Sequence, residues 1–144
     1  MATRIALPAD VAEAAAPIKA AAPATWMFFS LMGSRAYGFA GPDSDYDWAG
    51  VYYAPTREVL SVRGLGRETH VGNEPDYTFH EVGKFLRLAV KGNPSVLEVL
   101  WSPHKVFPAS GRICANAWAD AVIEVRKSLL WKGSLKPYFG YYDS

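Results

Sequence analysis

The feature that most constrains this chain is an apolar run that stops at a glycine-serine pair and is followed, a short loop later, by alternating aspartates. Trp26-Met27-Phe28-Phe29-Ser30-Leu31-Met32 is almost continuously apolar and ends at Gly33-Ser34. A run of this length bounded by glycine fits a buried strand better than a helix. Between Gly33 and Pro42 lie three glycines and a proline, so the spacing predicts a turn with at most one or two helical turns before a second strand over Tyr46 to Tyr53. Asp43, Asp45 and Asp47 alternate at the start of that second strand, which would project them to one face. Carboxylates so placed repel one another and raise each other's pKa, whereas a hard cation such as Mg²⁺ turns the repulsion into coordination. Asp45 and Asp47 form the better pair. Taken alone, Asp43-Ser44-Asp45 is equally a turn cap or an incidental calcium ligand; the strand and glycine turn before it favour catalysis.

The remaining pattern alternates sheet and helix. Val11, Ala14, Ala15 and Ile18 after Pro8-Ala9-Asp10 predict an N-capped helix that stops before Pro23 and covers one sheet face. Pro55-Thr56 opens a short helix or turn, and Arg63-Gly64-Leu65-Gly66 is expected to join two extended pieces as a hairpin. Asp76-Tyr77-Thr78-Phe79 alternates polar and aromatic residues, a third strand with Asp76 and Thr78 on its polar face. Val82, Phe85, Leu86, Leu88 and Ala89 recur at helical spacing, Gly92-Asn93-Pro94 separates that helix from one carrying Val96, Leu97, Val99 and Leu100, and a last helix is expected from Arg112 to Leu130 with Ile113, Ala117, Ala121, Val125 and Leu129 buried. The resulting expectation is an α+β fold, a small mixed or antiparallel sheet packed with helices, as one domain over residues 1–144.

Composition narrows the function classes. A formal net charge of +1 provides no overall field for gathering phosphate backbones, so an anionic ligand must be held locally. A single cysteine, Cys114, and three scattered histidines offer no zinc spacing, and point to a reducing, cytoplasmic setting. Asp10, Glu13 and Lys19 interrupt the alanine-rich start, which argues against an export signal, and no apolar run nears the ~20 residues a membrane helix needs.

Chemistry concentrates in the first two strands. A third carboxylate would complete a two-metal site, and Asp76 suits the role, with Glu74 and Glu81 as neighbours in sequence. Asp76 after Pro75 could also simply start its strand. Gly33-Ser34 supplies backbone amides and a hydroxyl for an anion, with Arg35 adding charge. Lys84, Arg87 and Lys91 form a basic stripe that is ordinarily a solvated face and could also meet triphosphate or nucleic acid. Glu98 is expected to pair structurally with Lys84 or Arg87, and of the histidines only His80 is expected near the site. The rings of Tyr37, Tyr46, Trp48, Tyr52 and Tyr53 should be mostly core, with one available to stack on a base.

These residues together resemble a known family. Gly33-Ser34-Arg35-Ala36-Tyr37-Gly38, Asp43-Ser44-Asp45-Tyr46-Asp47, Gly50-Val51, Lys84-Phe85-Leu86, Gly92-Asn93-Pro94 and Leu97-Glu98 resemble the DNA polymerase β-like nucleotidyltransferases, close to a bacterial and phage branch, over roughly residues 26 to 140. The resemblance implies a nucleotidyltransferase fold and transfer of a nucleoside monophosphate from an NTP to a hydroxyl of RNA, protein or a small molecule. It further implies Mg²⁺ or Mn²⁺ held by Asp45, Asp47 and Asp76, a triphosphate held by Gly33, Ser34, Arg35 and Lys84, and Asp76 assisting the acceptor hydroxyl. A bacterial or phage-infected cytoplasm is implied as the setting. Two departures stand out: Trp48-Ala49 replaces an arginine expected after the aspartates, and the family continues beyond the part resembling Lys136 to Tyr141, so part of the acceptor side is expected to be missing. The rival reading is a degenerate copy acting as a nucleotide-binding or regulatory module, dimerising or meeting a partner protein through Trp131 to Tyr142.

Overall fold

The computed structural model describes residues 5–109, 113–131 and 133. Among them five strands form one sheet in the order β3-β4-β2-β1-β5: β1 Trp26–Leu31, β2 Trp48–Tyr52, β3 Thr69–Asn73, β4 Asp76–Glu81 and β5 Lys105–Val106. The strand β1 runs antiparallel to β2 and β5, β2 runs parallel to β4, and β3 is antiparallel to β4. The mixed sheet with its helices is the α+β architecture expected from the sequence.

Alternation divides the core into two. Phe29, Leu31, Trp48, Tyr52 and Phe79 point to one face and pack against Val11, Ala15 and Ile18 of α1, Ala9–Ala21. Met27, Phe28 and Val51 point to the other and meet Phe85 and Ala89 of α4, Val82–Val90, then Val96, Leu97 and Val99 of α5, Pro94–Trp101, and Ala119, Val122 and Ile123 of α6, Ile113–Glu124. At about 25 cal/mol per Å² of apolar surface, each fully buried phenylalanine contributes roughly 2 to 3 kcal/mol. Gly50 lies in register between Phe29 and Phe79, whose side chains fill the space beside it: a methyl there would lie 2.4 Å from Phe79 Cε1 and 2.6 Å from Phe29 Cβ.

Local chemistry sets the element ends. The Glu81 carboxylate caps α4, accepting from the Gly83 amide at 2.7 Å and the Lys84 amide at 3.3 Å, and Asn93 caps α5 through the Val96 amide at 3.1 Å. No side chain caps α1, whose flanking residue is Pro8, so Asp10 is an acid of its first turn rather than its cap. Two buried serines fasten α5 to β1: Ser30 Oγ donates to the Val99 carbonyl at 2.9 Å, and Ser102 Oγ to the Leu31 carbonyl at 2.7 Å.

Three expectations are corrected. Residues 63–66 do not turn a hairpin; β3 and β4 are joined instead at Glu74-Pro75, which pairs Asn73 with Asp76. The second strand starts at Trp48, so Asp43, Asp45 and Asp47 sit in the loop leading into it. The last helix buries Ala119, Val122 and Ile123, while Ala117, Ala121 and Val125 are exposed. Apolar residues occur on every side of this helix, and its continuation, Val125–Leu129, is a 3-10 turn with a tighter period; Leu129 is buried as expected. Arg112 and the side chains of Ile113 and Cys114 lie outside the described residues, as does the stretch from 134 to 144. No helix among the described residues is long and apolar enough to cross a membrane.

Candidate active site

Topology gathers the chemistry at one edge of the sheet. Because β1 is antiparallel to β2 and β2 parallel to β4, the end of β1 and the beginnings of β2 and β4 lie side by side. Those three ends carry Gly33-Ser34, Asp45 to Asp47, and Asp76. Trp48 is in register with Tyr77, which sets Asp47 beside Asp76 across a strand spacing of about 4.8 Å. Ala49 and Thr78 lie on the face opposite Trp48 and Tyr77, covered by α4, α5 and α6, and Asp47 and Asp76 precede them by two residues at that face's edge.

Electrostatics confirms the proximity. The Asp47 carboxyl is raised above its usual value, first by desolvation and then by the negative charges of Asp76 and Asp45. Asp43 is not among the charges acting on it. No lysine or arginine among the described residues forms an ion pair with any of these aspartates. Asp47 therefore bears the repulsion of Asp76 and Asp45, and the oxygens of the three carboxylates are the donor type a divalent hard cation takes. Among the described residues, no three such side chains are drawn close enough to hold a metal unaided.

Gly33 sits directly against the acids. Its φ of 67° is left-handed, a conformation glycine adopts without penalty, and a methyl there would lie 3.2 Å from Asp47 Oδ2. The Met32 amide donates to the Asp47 carbonyl at 2.9 Å, extending the β1–β2 ladder to the first metal-binding candidate. Ser34 opens α2, Gly33–Ala36, and is exposed. The Gly33 amide is engaged by Glu98, whose Oε1 accepts at 3.0 Å. Glu98 was expected to pair with Lys84 or Arg87; the serine bonds that seat α5 on β1 place it at the glycine turn instead.

The aspartate loop is braced by Arg35. Its Nε donates to the Ser44 carbonyl at 2.7 Å and its guanidinium lies 4.1 Å from the Tyr46 ring centroid, while Tyr46 reaches Asp10 of α1 at 3.4 Å. Arg35 thus holds the loop that presents Asp45. A cleft of about 630 Å³ opens beside it, lined by Asp45, Tyr46, Trp48, Glu74, Pro75 and Asp76, with Ala14 and Pro17 of α1 closing the far wall. Glu74 shares this end of the sheet.

Other expected members lie elsewhere. Lys84 follows the far end of β4, five residues from Asp76 along a strand rising about 3.3 Å per residue, and its Nζ donates to Thr69 Oγ1 at 2.7 Å. By that strand rise it stands on the order of 15 Å from the acids, so the structure does not bring it together with them. Glu81, used as a helix cap, and His80, paired with Thr69 Oγ1 at 3.0 Å, are at that remote end too. Burial and then the Lys84 charge lower the His80 pKa. Arg87 pairs with Glu68. Trp48, which replaces the expected arginine, is core, edge-on to Phe29 at 5.3 Å. Of the five rings singled out in the sequence, Tyr37 is the exposed one.

Comparison with known proteins gives the family. The model of the RNA repair pathway DNA polymerase beta family matches residues 8–128, and the chain belongs to that family. It is 27% identical over 121 residues to an uncharacterized 38.9 kDa protein from the nrdC-mobD intergenic region of Enterobacteria phage T4, covering 78% of this chain and 35% of the phage protein. It is 40% identical over 75 residues to the uncharacterized protein YcgL of Bacillus subtilis, covering 49% of this chain and 28% of that protein. The chain thus spans about a third of the length of these curated relatives. No solved structure matches it.

Proposed function

We propose that this member of the polymerase β family is a divalent-metal-dependent nucleotidyltransferase that moves a nucleoside monophosphate from an NTP to an acceptor hydroxyl, releasing pyrophosphate. The observation that carries the reading is the gathering of Asp45, Asp47 and Asp76 at one sheet edge beside the left-handed Gly33 turn, with the Asp47 pKa raised first by burial and then by Asp76 and Asp45. Asp45 and Asp47 are the residues that would hold Mg²⁺ or Mn²⁺, with Asp76 completing the set. Bound there, such ions supply charge neutralisation at the attacking and leaving oxygens of an in-line displacement.

The chain's own groups have separate tasks. Ser34 and the backbone of the glycine turn receive the triphosphate, whose close approach is allowed because Gly33 has no side chain. Arg35 fixes the loop that carries Asp45. Asp76 orients the acceptor hydroxyl and takes its proton. The cleft bordered by Tyr46 and Trp48 offers room for a substrate group next to Asp45 and Asp76. An RNA or protein bearing a free hydroxyl is the proposed acceptor, in a cytoplasmic setting.

Incubation with α-labelled NTPs, Mg²⁺ and candidate RNAs or proteins tests the proposal. Label transferred by the wild type and lost in Asp45→Ala and Asp47→Ala supports it. Nucleotide binding without any transfer, unaffected by either substitution, would replace it with the binding-module reading.

A further inference from the structure

The sheet face that carries the aspartates also carries a cationic cavity that the nucleotidyl-transfer site does not use. It lies between β5, the end of α5 and the 3-10 turn Val125–Leu129, has a volume of about 530 Å³, and is lined by Lys105, Arg126 and Lys127, with Glu124 the one acid in its wall among the described residues. Register fixes its position: Lys105 pairs with Ser30, Ser30 with Ala49, and Ala49 with Thr78, so these four residues form one row across the face. Asp47 lies two residues along β2 from that row and two strands across from Lys105, a backbone separation of roughly 12 Å from standard strand spacings.

Two further observations bear on what the cavity takes. Lys105 Nζ donates to the Ser102 carbonyl, and its pKa is lowered to about 8, first by burial and then by the neighbouring Arg126 charge. Cations crowded in a partly desolvated wall gain from an anion just as crowded carboxylates gain from a metal. The Arg126 guanidinium lies 4.8 Å from the centroid of Trp101, whose indole stands between this cavity and a second one lined by Tyr37 and Glu98. Glu98 bonds the Gly33 amide, so the walls run without a break from the glycine turn through Trp101 to Lys105.

We propose that the cavity bounded by Lys105, Arg126 and Lys127 is a second phosphate-binding site, which holds a phosphate group of a nucleic-acid acceptor while the strand's hydroxyl reaches the aspartates. The assignment to the acceptor rests on the nucleotidyl-transfer reading; the phosphate site itself does not. Arg126, stacked on Trp101, and Lys105, on the sheet, are fixed in place, whereas Lys127 is exposed and adds charge at the rim.

Calorimetric titration of the full chain with inorganic phosphate, and separately with a short single-stranded RNA, both without divalent metal, tests this. Lys105→Met and Lys127→Gln are compared with the wild type after circular dichroism has shown each to be folded. Loss of one charge-assisted contact is expected to weaken phosphate binding about tenfold in Lys105→Met. Each substitution should also reduce the salt slope of log K for the RNA by about 0.7. Lys19→Met, on α1 over the opposite sheet face, should leave phosphate binding unchanged, and because the readout needs neither metal nor turnover, failure of this site is distinct from failure of the catalytic reading. RNA that competes phosphate off the protein identifies a strand phosphate as the ligand; phosphate that RNA does not displace keeps the site and removes its assignment to the acceptor. Phosphate affinity equal in the wild type and both variants, or no phosphate binding at all, overturns the proposal.

Discussion

Gly33→Ala separates what the glycine turn contributes to folding from what it contributes to chemistry. Gly33 has φ of 67°, and an alanine held there costs about 1 to 2 kcal/mol of backbone strain. Its methyl would meet Asp47 Oδ2 at 3.2 Å, tight enough to require a shift of a few tenths of an ångström. The Asp47 side chain is exposed and can swing away, so the clash adds little to the folding cost; the strain alone should lower Tm by a few degrees for a chain of this size. The same swing misplaces a carboxylate whose position the reaction depends on, and small misplacements cost up to roughly 100-fold in rate. The expected result is a variant that stays folded at 25 °C, with urea unfolding about 1 to 2 kcal/mol weaker and nucleotidyl transfer per folded molecule down at least tenfold. Wild-type turnover in a folded Gly33→Ala protein would refute the view that this turn seats both the triphosphate and Asp47.

The remaining predictions follow the same residues. The folded-state pKa of Asp47 is raised, so this group's contribution to stability is present below its unfolded value near 3.8 and is lost as pH rises through the folded value; Asp47→Asn should therefore flatten the stability loss above pH 4 in metal-free thermal melts and also remove any stabilisation by Mg²⁺. Retained Mg²⁺ stabilisation in that variant would count against Asp47 as a ligand. Gly50→Ala places a methyl 2.4 Å from Phe79 and should cost about 1 to 3 kcal/mol by overpacking, read by urea denaturation. Lys84→Met should leave NTP affinity within twofold of the wild type, since Lys84 bonds Thr69 at the remote end of β4; a larger loss would return it to the nucleotide site.

How much of this was legible in the sequence depended on whether local pattern or long-range pairing decided each element. The strand Trp26–Leu31, the break between helices at Gly92-Asn93-Pro94 and the apolar positions of α4 and α5 follow from local rules, and the structure has them. The aspartates were legible because strand, glycine turn and alternating acids occur in one short stretch, whereas their meeting with Asp76 depends on the parallel β2–β4 pairing that no local signal encodes. Lys84 and His80 were misplaced for the same reason: few residues from Asp76 in sequence, they are carried to the opposite end by an extended strand. Glu98 was missed as a partner of Gly33 because Ser30 and Ser102, two ordinary-looking polar residues, determine where α5 sits. The face of α6 could not be chosen from a helix with apolar residues on every side and a 3-10 end that changes its period.

The central claim is a metal-dependent nucleotide site at Asp45, Asp47 and Asp76, and its most direct test is calorimetric titration of NTP into the wild type and Asp47→Ala, each with and without Mn²⁺. The account predicts binding to the wild type that strengthens at least tenfold when the metal is present, and an Asp47→Ala protein in which that enhancement is gone. Equal NTP affinity with and without metal, or an enhancement that survives in Asp47→Ala, would contradict it.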